Sequence, residues 1–188
     1  MSILILGGHA KGHALLVPAG SLIRPTSVML RRRFFDANQN MENMTFVDLC
    51  AGSGAMGLEA LSRGASKVYL NEFHPKVYQV LKKNILSMKR DLKLMEDFIN
   101  LTKGSCLQFI KTMKSEIDQE DTLIFFDPPY EDHKLYKDVL KELRNFERAS
   151  IIIETDRQKG IKEADIKELG FEVTKSYKQG TSFIYLVR

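Results

Sequence analysis

From Thr45 onward the chain alternates short apolar runs with longer amphipathic segments, and that alternation leaves few folds open to it. The runs are Thr45–Cys50, Lys67–Asn71, Phe98–Thr102, Thr122–Phe126, Ser150–Glu154, Phe171–Ser176 and Ser182–Val187. Helical spacing fills most of the gaps, at Ala55–Arg63, Pro75–Arg90, Ser105–Lys114, Lys134–Asn145 and Lys162–Leu169. Strands separated by helices in this way predict an α/β protein with a doubly wound, mainly parallel, seven-stranded sheet. The end breaks the pattern. Only Tyr177–Thr181 separates the last two runs, too short for a parallel crossover, so the final strand is predicted antiparallel to its predecessor.

Ahead of this domain (41–188) stands an N-terminal extension, residues 1–40. Ser2–Leu6 and Ala14–Val17 are joined through Gly7, Gly8 and Gly12, which predicts a β-hairpin with a long loop. Arg24-Pro25-Thr26-Ser27 then reads as a helix start, with proline near the first turn and a hydroxyl to cap it. The helix carries Val28, Leu30, Phe34 and Phe35 and ends before Asn38–Asn40.

Charge is informative once it is located. The net charge is +4, and residues 1–40 supply all of it: Lys11, Arg24, Arg31, Arg32 and Arg33 stand against Asp36 alone. Localised basicity of this kind is a footprint for phosphate backbones. A solvated helix face is the alternative, since three adjacent arginines cannot all point one way. No apolar run approaches the roughly 20 residues that cross a bilayer, and no signal-peptide pattern opens the chain, so a cytoplasmic protein is expected. Cys50 and Cys106 lie in apolar stretches, and His9 and His13 lie among glycines. Neither pair has metal-ligand spacing, and the cysteines read as buried, reduced thiols. No metal is expected, and a monomer is the default.

Two motifs carry chemistry. Leu123-Ile-Phe-Phe-Asp-Pro-Pro-Tyr130 is a buried strand that stops at Asp127 and two prolines, whose fixed φ stiffens the exit. Asp127 and the Pro128 carbonyl can accept both N–H bonds of a planar amine, with Pro129 holding the turn and Tyr130 stacking on the ring. Asp-Pro-Pro alone is also ordinary turn chemistry. The second motif is upstream. Val47-Asp48-Leu49-Cys50-Ala51-Gly52-Ser53-Gly54-Ala55-Met56-Gly57 reads as strand, tight turn and helix start, and satisfies G-x-G-x-x-G. Glu72, 20 residues after Gly52, is placed to hold ribose hydroxyls. These signals indicate an adenosyl cofactor without separating NAD from S-adenosylmethionine. The antiparallel ending, Asp48 four residues before Gly52, and Asp-Pro-Pro-Tyr facing the same crevice favour S-adenosylmethionine.

With those residues in view, the chain resembles the bacterial small-subunit ribosomal RNA guanine-N2 methyltransferases (methyltransferase D) over nearly its whole length. The resemblance lies in Gly7-Gly8, Lys11-Gly12, Leu22-Ile23-Arg24-Pro25-Thr26, Ala51 through Arg63, Glu72, Asp127-Pro128-Pro129-Tyr130 and Ile153-Glu154. It implies a Rossmann-like class I methyltransferase fold, S-adenosylmethionine as cofactor, and ribosomal RNA or the small subunit as partner. The implied cofactor residues are Asp48, Ala51, Gly52, Ser53, Gly54, Glu72, Phe73, Ser105, Cys106 and Asp127; Ser105 stands where the family commonly has an acid or amide. The implied catalytic residues are Asp127, Pro128, Pro129 and Tyr130, and Lys11, Arg24, Arg31, Arg32, Arg33 and Lys178 are expected to hold RNA. Adenine-N6 methylation of DNA or RNA, and a non-catalytic RNA-binding assembly factor, are the alternatives.

Overall fold

The computed structural model describes residues 2–18, 26–93 and 98–188. Strands β1 (Ser2–Leu4) and β2 (Ala14–Leu16) form the antiparallel hairpin, with Ser2 opposite Leu16 and Leu4 opposite Ala14. Helix α1 (Val28–Ala37) begins where the Ser27 hydroxyl accepts the Leu30 N–H at 3.0 Å, replacing a bond the first turn cannot make internally. Arg24 and the rest of Leu22–Pro25 lie outside the described residues.

The main sheet comprises β3 (Thr45–Asp48), β4 (Lys67–Glu72), β5 (Ile99–Lys103), β6 (Thr122–Phe126), β7 (Ser150–Asp156), β8 (Val173–Gln179) and β9 (Ser182–Val187). Its spatial order is β5-β4-β3-β6-β7-β9-β8, parallel except for β9, which is antiparallel to both neighbours. The final strand is thus inserted between β7 and β8. Pairing with β9 extends β8 to Gln179, further than its local pattern suggested, so Gly180 (φ 60°) and Thr181 alone make the turn. The chain leaves β3 toward β4 on one side and returns to β6 on the other, which makes the end of β3 the topological switch point.

Alternation along each strand sends successive residues to opposite faces. Phe46, Val68, Phe125 and Ile152 join one core with α1, the hairpin, α2 (Ala55–Ser62) and α3 (Pro75–Leu92). Val47, Tyr69, Phe126 and Ile153 join the other, under α4 (Cys106–Ile117), α5 (His133–Leu143) and α6 (Glu163–Glu168). The N-terminal extension therefore shares a core with the sheet. Gly8 shows how closely it docks: at φ +73° it lies so near α2 that an added Cβ would sit 1.8 Å from the Ser62 carbonyl oxygen. Among the described residues no helix is long and apolar enough to cross a membrane.

Candidate active site

Strand register puts the two motifs side by side. Asp48 is level with Phe125, and the Leu49 N–H extends the pairing to the Phe125 carbonyl at 3.0 Å. The chain after β3 and the chain after β6 therefore emerge together at the carboxyl edge of the sheet. Gly52 and Gly54 adopt left-handed backbone, φ 55° and 85°, which closes the turn and starts α2. Gly54 caps that helix without a side chain, leaving the first-turn N–H groups for other partners, the Gly57 N–H going to Asp48.

Two asparagines hold this turn. Asn71 Nδ2 donates to the Leu49 and Gly104 carbonyls at 3.1 and 3.0 Å, binding the loop after β3 to the loop after β5. Asn84 Nδ2 donates to the Ser53 and Leu16 carbonyls at 2.8 and 2.9 Å, while its Oδ1 accepts the Leu16 N–H. Neither was among the sequence candidates. Their signal was a polar residue in an apolar pattern: Asn71 lies one residue from the end of a buried strand, and Asn84 lies in the α3 stripe with Val77, Leu81, Ile85 and Met88.

The acids gather here. Glu72 accepts the Gly52 N–H through Oε2 at 2.9 Å and the His74 N–H through Oε1 at 2.7 Å. Asp48 is buried, and its Oδ1 lacks a hydrogen-bond partner among the described residues. Burial pushes the Asp48 carboxyl up to about 8, and the charges of Glu72 and Glu154 push the same way, against the Cys50 and Gly57 N–H groups. Phe73 is 73% exposed beside Glu72, Ser105 is half-buried, and the Cys50 and Cys106 thiols touch. That contact and burial raise Cys50, while the same contact lowers Cys106.

On the acceptor side Asp127 is half-buried, Pro128 buried and Pro129 exposed, its carbonyl accepting the Asp132 N–H at 2.9 Å. The Tyr130 hydroxyl donates to Glu154 Oε1 at 3.0 Å. Burial first, then the neighbouring Glu154 and Asp127, raise the Tyr130 phenol well above its ordinary value, so it remains a donor. Glu154 is a further residue missed as a site candidate.

The basic residues divide. Arg32 and Arg33 are exposed on α1, and Lys178 is exposed on β8, near the turn into β9. Arg31 corrects the expectation. It is 1% exposed and gives its guanidinium to the Leu4 carbonyl (2.6 Å) and the Ala55 carbonyl (3.5 Å), so it faces inward and is committed to backbone. Lys11 is exposed but displaced. Its hairpin loop lies on Ser62 and Arg63 at the end of α2, eight residues and roughly 12 Å from the glycine turn. A cleft of about 500 Å³ between Arg144, Arg148, Ser150 and Arg188 opens at the opposite edge of the strands and contains none of these site residues.

Residues 3–188 match the family described as "Conserved hypothetical protein 95". Over 129 residues the chain is 30% identical to the "Ribosomal RNA small subunit methyltransferase D" of Buchnera aphidicola subsp. Acyrthosiphon pisum, covering 68% of this chain. That match spans 63% of the relative's length, less than two thirds. The solved "Putative methyltransferase yhhF" of Escherichia coli superposes with a TM-score of 0.74 at 25% identity, covering 100% of this chain and 97% of the other. The fold is shared with SMU.776, a "putative methyltransferase complexed with SAH", at a TM-score of 0.65, 12% identity, and coverage of 85% and 48%.

Proposed function

The chain belongs to the family described as "Conserved hypothetical protein 95", and we propose that it is an S-adenosylmethionine-dependent methyltransferase that methylates the exocyclic N2 amine of a guanine in small-subunit ribosomal RNA. The observation that carries this is the emergence of the Asp48–Gly54 turn and the Asp127–Tyr130 loop side by side at the switch point. The substrate class comes from the relative's name. Guanine N2 comes from the sequence resemblance.

The residues present fit the cofactor. Each Glu72 oxygen holds one backbone N–H and keeps acceptor capacity for a ribose hydroxyl. The unpartnered Asp48 Oδ1 suits a cationic amino-acid end, and the Phe73 ring and Ser105 hydroxyl suit an adenine. When bound, S-adenosylmethionine supplies an electrophilic methyl group on a sulfonium.

The protein has to aim a poor nucleophile, because the guanine amine lone pair is delocalised into the ring. Asp127 and the Pro128 carbonyl accept its two N–H bonds, favour a pyramidal nitrogen and point the lone pair at the methyl carbon. Transfer of the methyl group from the sulfonium to the amine would place positive charge on that nitrogen. The same two acceptors stabilise it, mainly in the transition state. The product amine then loses its proton to Asp127 or water. Orientation of this kind supplies up to about 7–11 kcal/mol. The base must be unstacked, which costs a few kcal/mol, and stacking on Tyr130 returns about 1–3 kcal/mol.

The test is labelled-methyl transfer to undermethylated small subunits and bare ribosomal RNA, with mass mapping of the product. N2-methylguanine is expected; N6-methyladenine would overturn the acceptor assignment. Asp127→Ala is expected to lower transfer at saturating cofactor by about a hundred- to a thousandfold. Near-normal transfer by that variant removes Asp127 from the mechanism.

A further inference from the structure

A buried carboxylate in the middle of an apolar sheet is costly unless it is bonded. Glu154 is one: it lies in the Ser150–Asp156 strand behind Ile151, Ile152 and Ile153, and is 1% exposed. Its place is set by pairing. Ile153 stands opposite Phe126, so the next step along the two strands puts Glu154 beside Asp127. There it meets the acceptor loop once and α5 once. Its Oε1 accepts the Tyr130 hydroxyl at 3.0 Å, and its backbone carbonyl accepts the hydroxyl of Tyr136, on α5, at 2.7 Å. Ser182, paired with Asp156 across to β9, also bonds Tyr130. Two neighbouring strands therefore fix one phenol.

We propose that Glu154 is a positioning residue for the acceptor base, acting through Tyr130; this rests on the methyltransferase reading. A tyrosine ring has two torsions, and anchoring its far end sets both the ring plane and its height above the crevice. Asp127 and Pro128 hold only the edge of the base. The plane in which that edge lies is set by the surface the base stacks on, which is the Tyr130 ring. A charged acceptor makes the stronger bond to a hydroxyl, which accounts for a carboxylate here in place of a neutral side chain. The Tyr136 bond uses the Glu154 backbone, so changing the side chain leaves that bond to α5 in place.

The experiment combines single-turnover methyl transfer with NMR of ring-labelled tyrosine, the Tyr130 signal being assigned by its loss in Tyr130→Phe. Glu154→Ala and Tyr130→Phe are each expected to slow transfer by about ten- to a hundredfold. Transfer is read at saturating cofactor, so that a change in affinity through Asp48, on which the Glu154 charge also acts, does not enter the rate. The double variant should be no slower than either single one, and Glu154→Gln, whose amide oxygen still accepts, should recover most of the rate. In Glu154→Ala the Tyr130 ring signal should shift and broaden. An unchanged rate in Glu154→Ala, losses that multiply in the double variant, or an unmoved Tyr130 signal each overturns the proposal. If the wild type transfers no methyl to RNA, the proposed function fails. The Tyr130 signal, read on the same samples, still decides the anchor.

Discussion

Charge is buried in two regions of this molecule, to opposite ends. Under the N-terminal extension opposite charges meet. Glu59, fully buried, accepts the Leu6 N–H at 2.7 Å and Arg63 Nε at 2.9 Å. Arg63 also bonds the Phe35 carbonyl and lies over the Phe35 ring, and Arg31 closes on the Leu4 carbonyl. At the carboxyl edge of the sheet the charges are alike: Glu72 and Glu154 both act on Asp48 and help to push it up to about 8. Opposite charges brought together hold an element in place. Like charges brought together leave a site that favours a cation, and such perturbed groups gather where ligands bind.

The largest effect should come from removing the acid of the first region. Glu59→Ala removes the acceptor for Leu6 and Arg63 and leaves two arginines buried without their counter-charge. A loss of about 3–5 kcal/mol is expected, read from urea unfolding midpoints. A loss below about 1 kcal/mol would mean the network behaves as a surface pair and the comparison fails. The spectroscopic fold of the sheet domain should survive in the absence of denaturant.

The two regions were also unequally legible. Both site motifs are local strings: an apolar run fixes the strand, and the glycines or prolines after it fix the exit. That is why Gly52–Gly54 and Asp127–Tyr130 lie where the sequence put them, and why β6 and β9 begin and end as expected. The expectation for Arg31 failed for the opposite reason. Leu30, Arg31, Phe34 and Phe35 form one helical stripe, so the inward position of Arg31 is written in the spacing, but its environment comes from β1 and α2. The same holds for Glu154 and for the insertion of β9 between β7 and β8, which depend on pairings between distant segments. Local pattern encodes elements and turns; a buried charge has meaning only with its partner.

The second region is tested by pH. The Asp48 carboxyl ionises near 3.8 in an unfolded chain and near 8 in the fold, so between those values the folded protein binds the extra proton. Stability from this group is fully present below pH 3.8, declines as pH rises, and is lost above about 8. Asp48→Asn removes the dependence. The Tm of that variant relative to wild type should climb from pH 4 toward pH 8 and then level off. Cofactor binding should run the other way. A cationic amino-acid end favours ionised Asp48, so wild type should release close to one proton on binding S-adenosylhomocysteine at pH 6.5, measured by calorimetry in buffers of different ionisation enthalpy. Asp48→Asn should release none and bind more weakly. Equal proton release by both proteins would assign the titration to another group.

The smallest effect separates the arginines of α1 from one another. Arg32 and Arg33 are exposed while Arg31, between them and the hairpin, is buried. If the exposed pair holds phosphates, each contact contributes about 0.7–0.9 to the slope of log affinity against log salt. Arg32→Ala with Arg33→Ala should therefore flatten the slope for ribosomal RNA by roughly 1–2, with little change in the urea midpoint. Arg31→Met should do the reverse: lower the midpoint and leave the slope alone, because a guanidinium committed to Leu4 and Ala55 displaces no counterion from RNA. An unchanged slope in the double variant would return Arg32 and Arg33 to a solvated helix face. A flattened slope in Arg31→Met would mean that the hairpin opens on RNA and frees Arg31, so that the first region would itself be part of the binding surface.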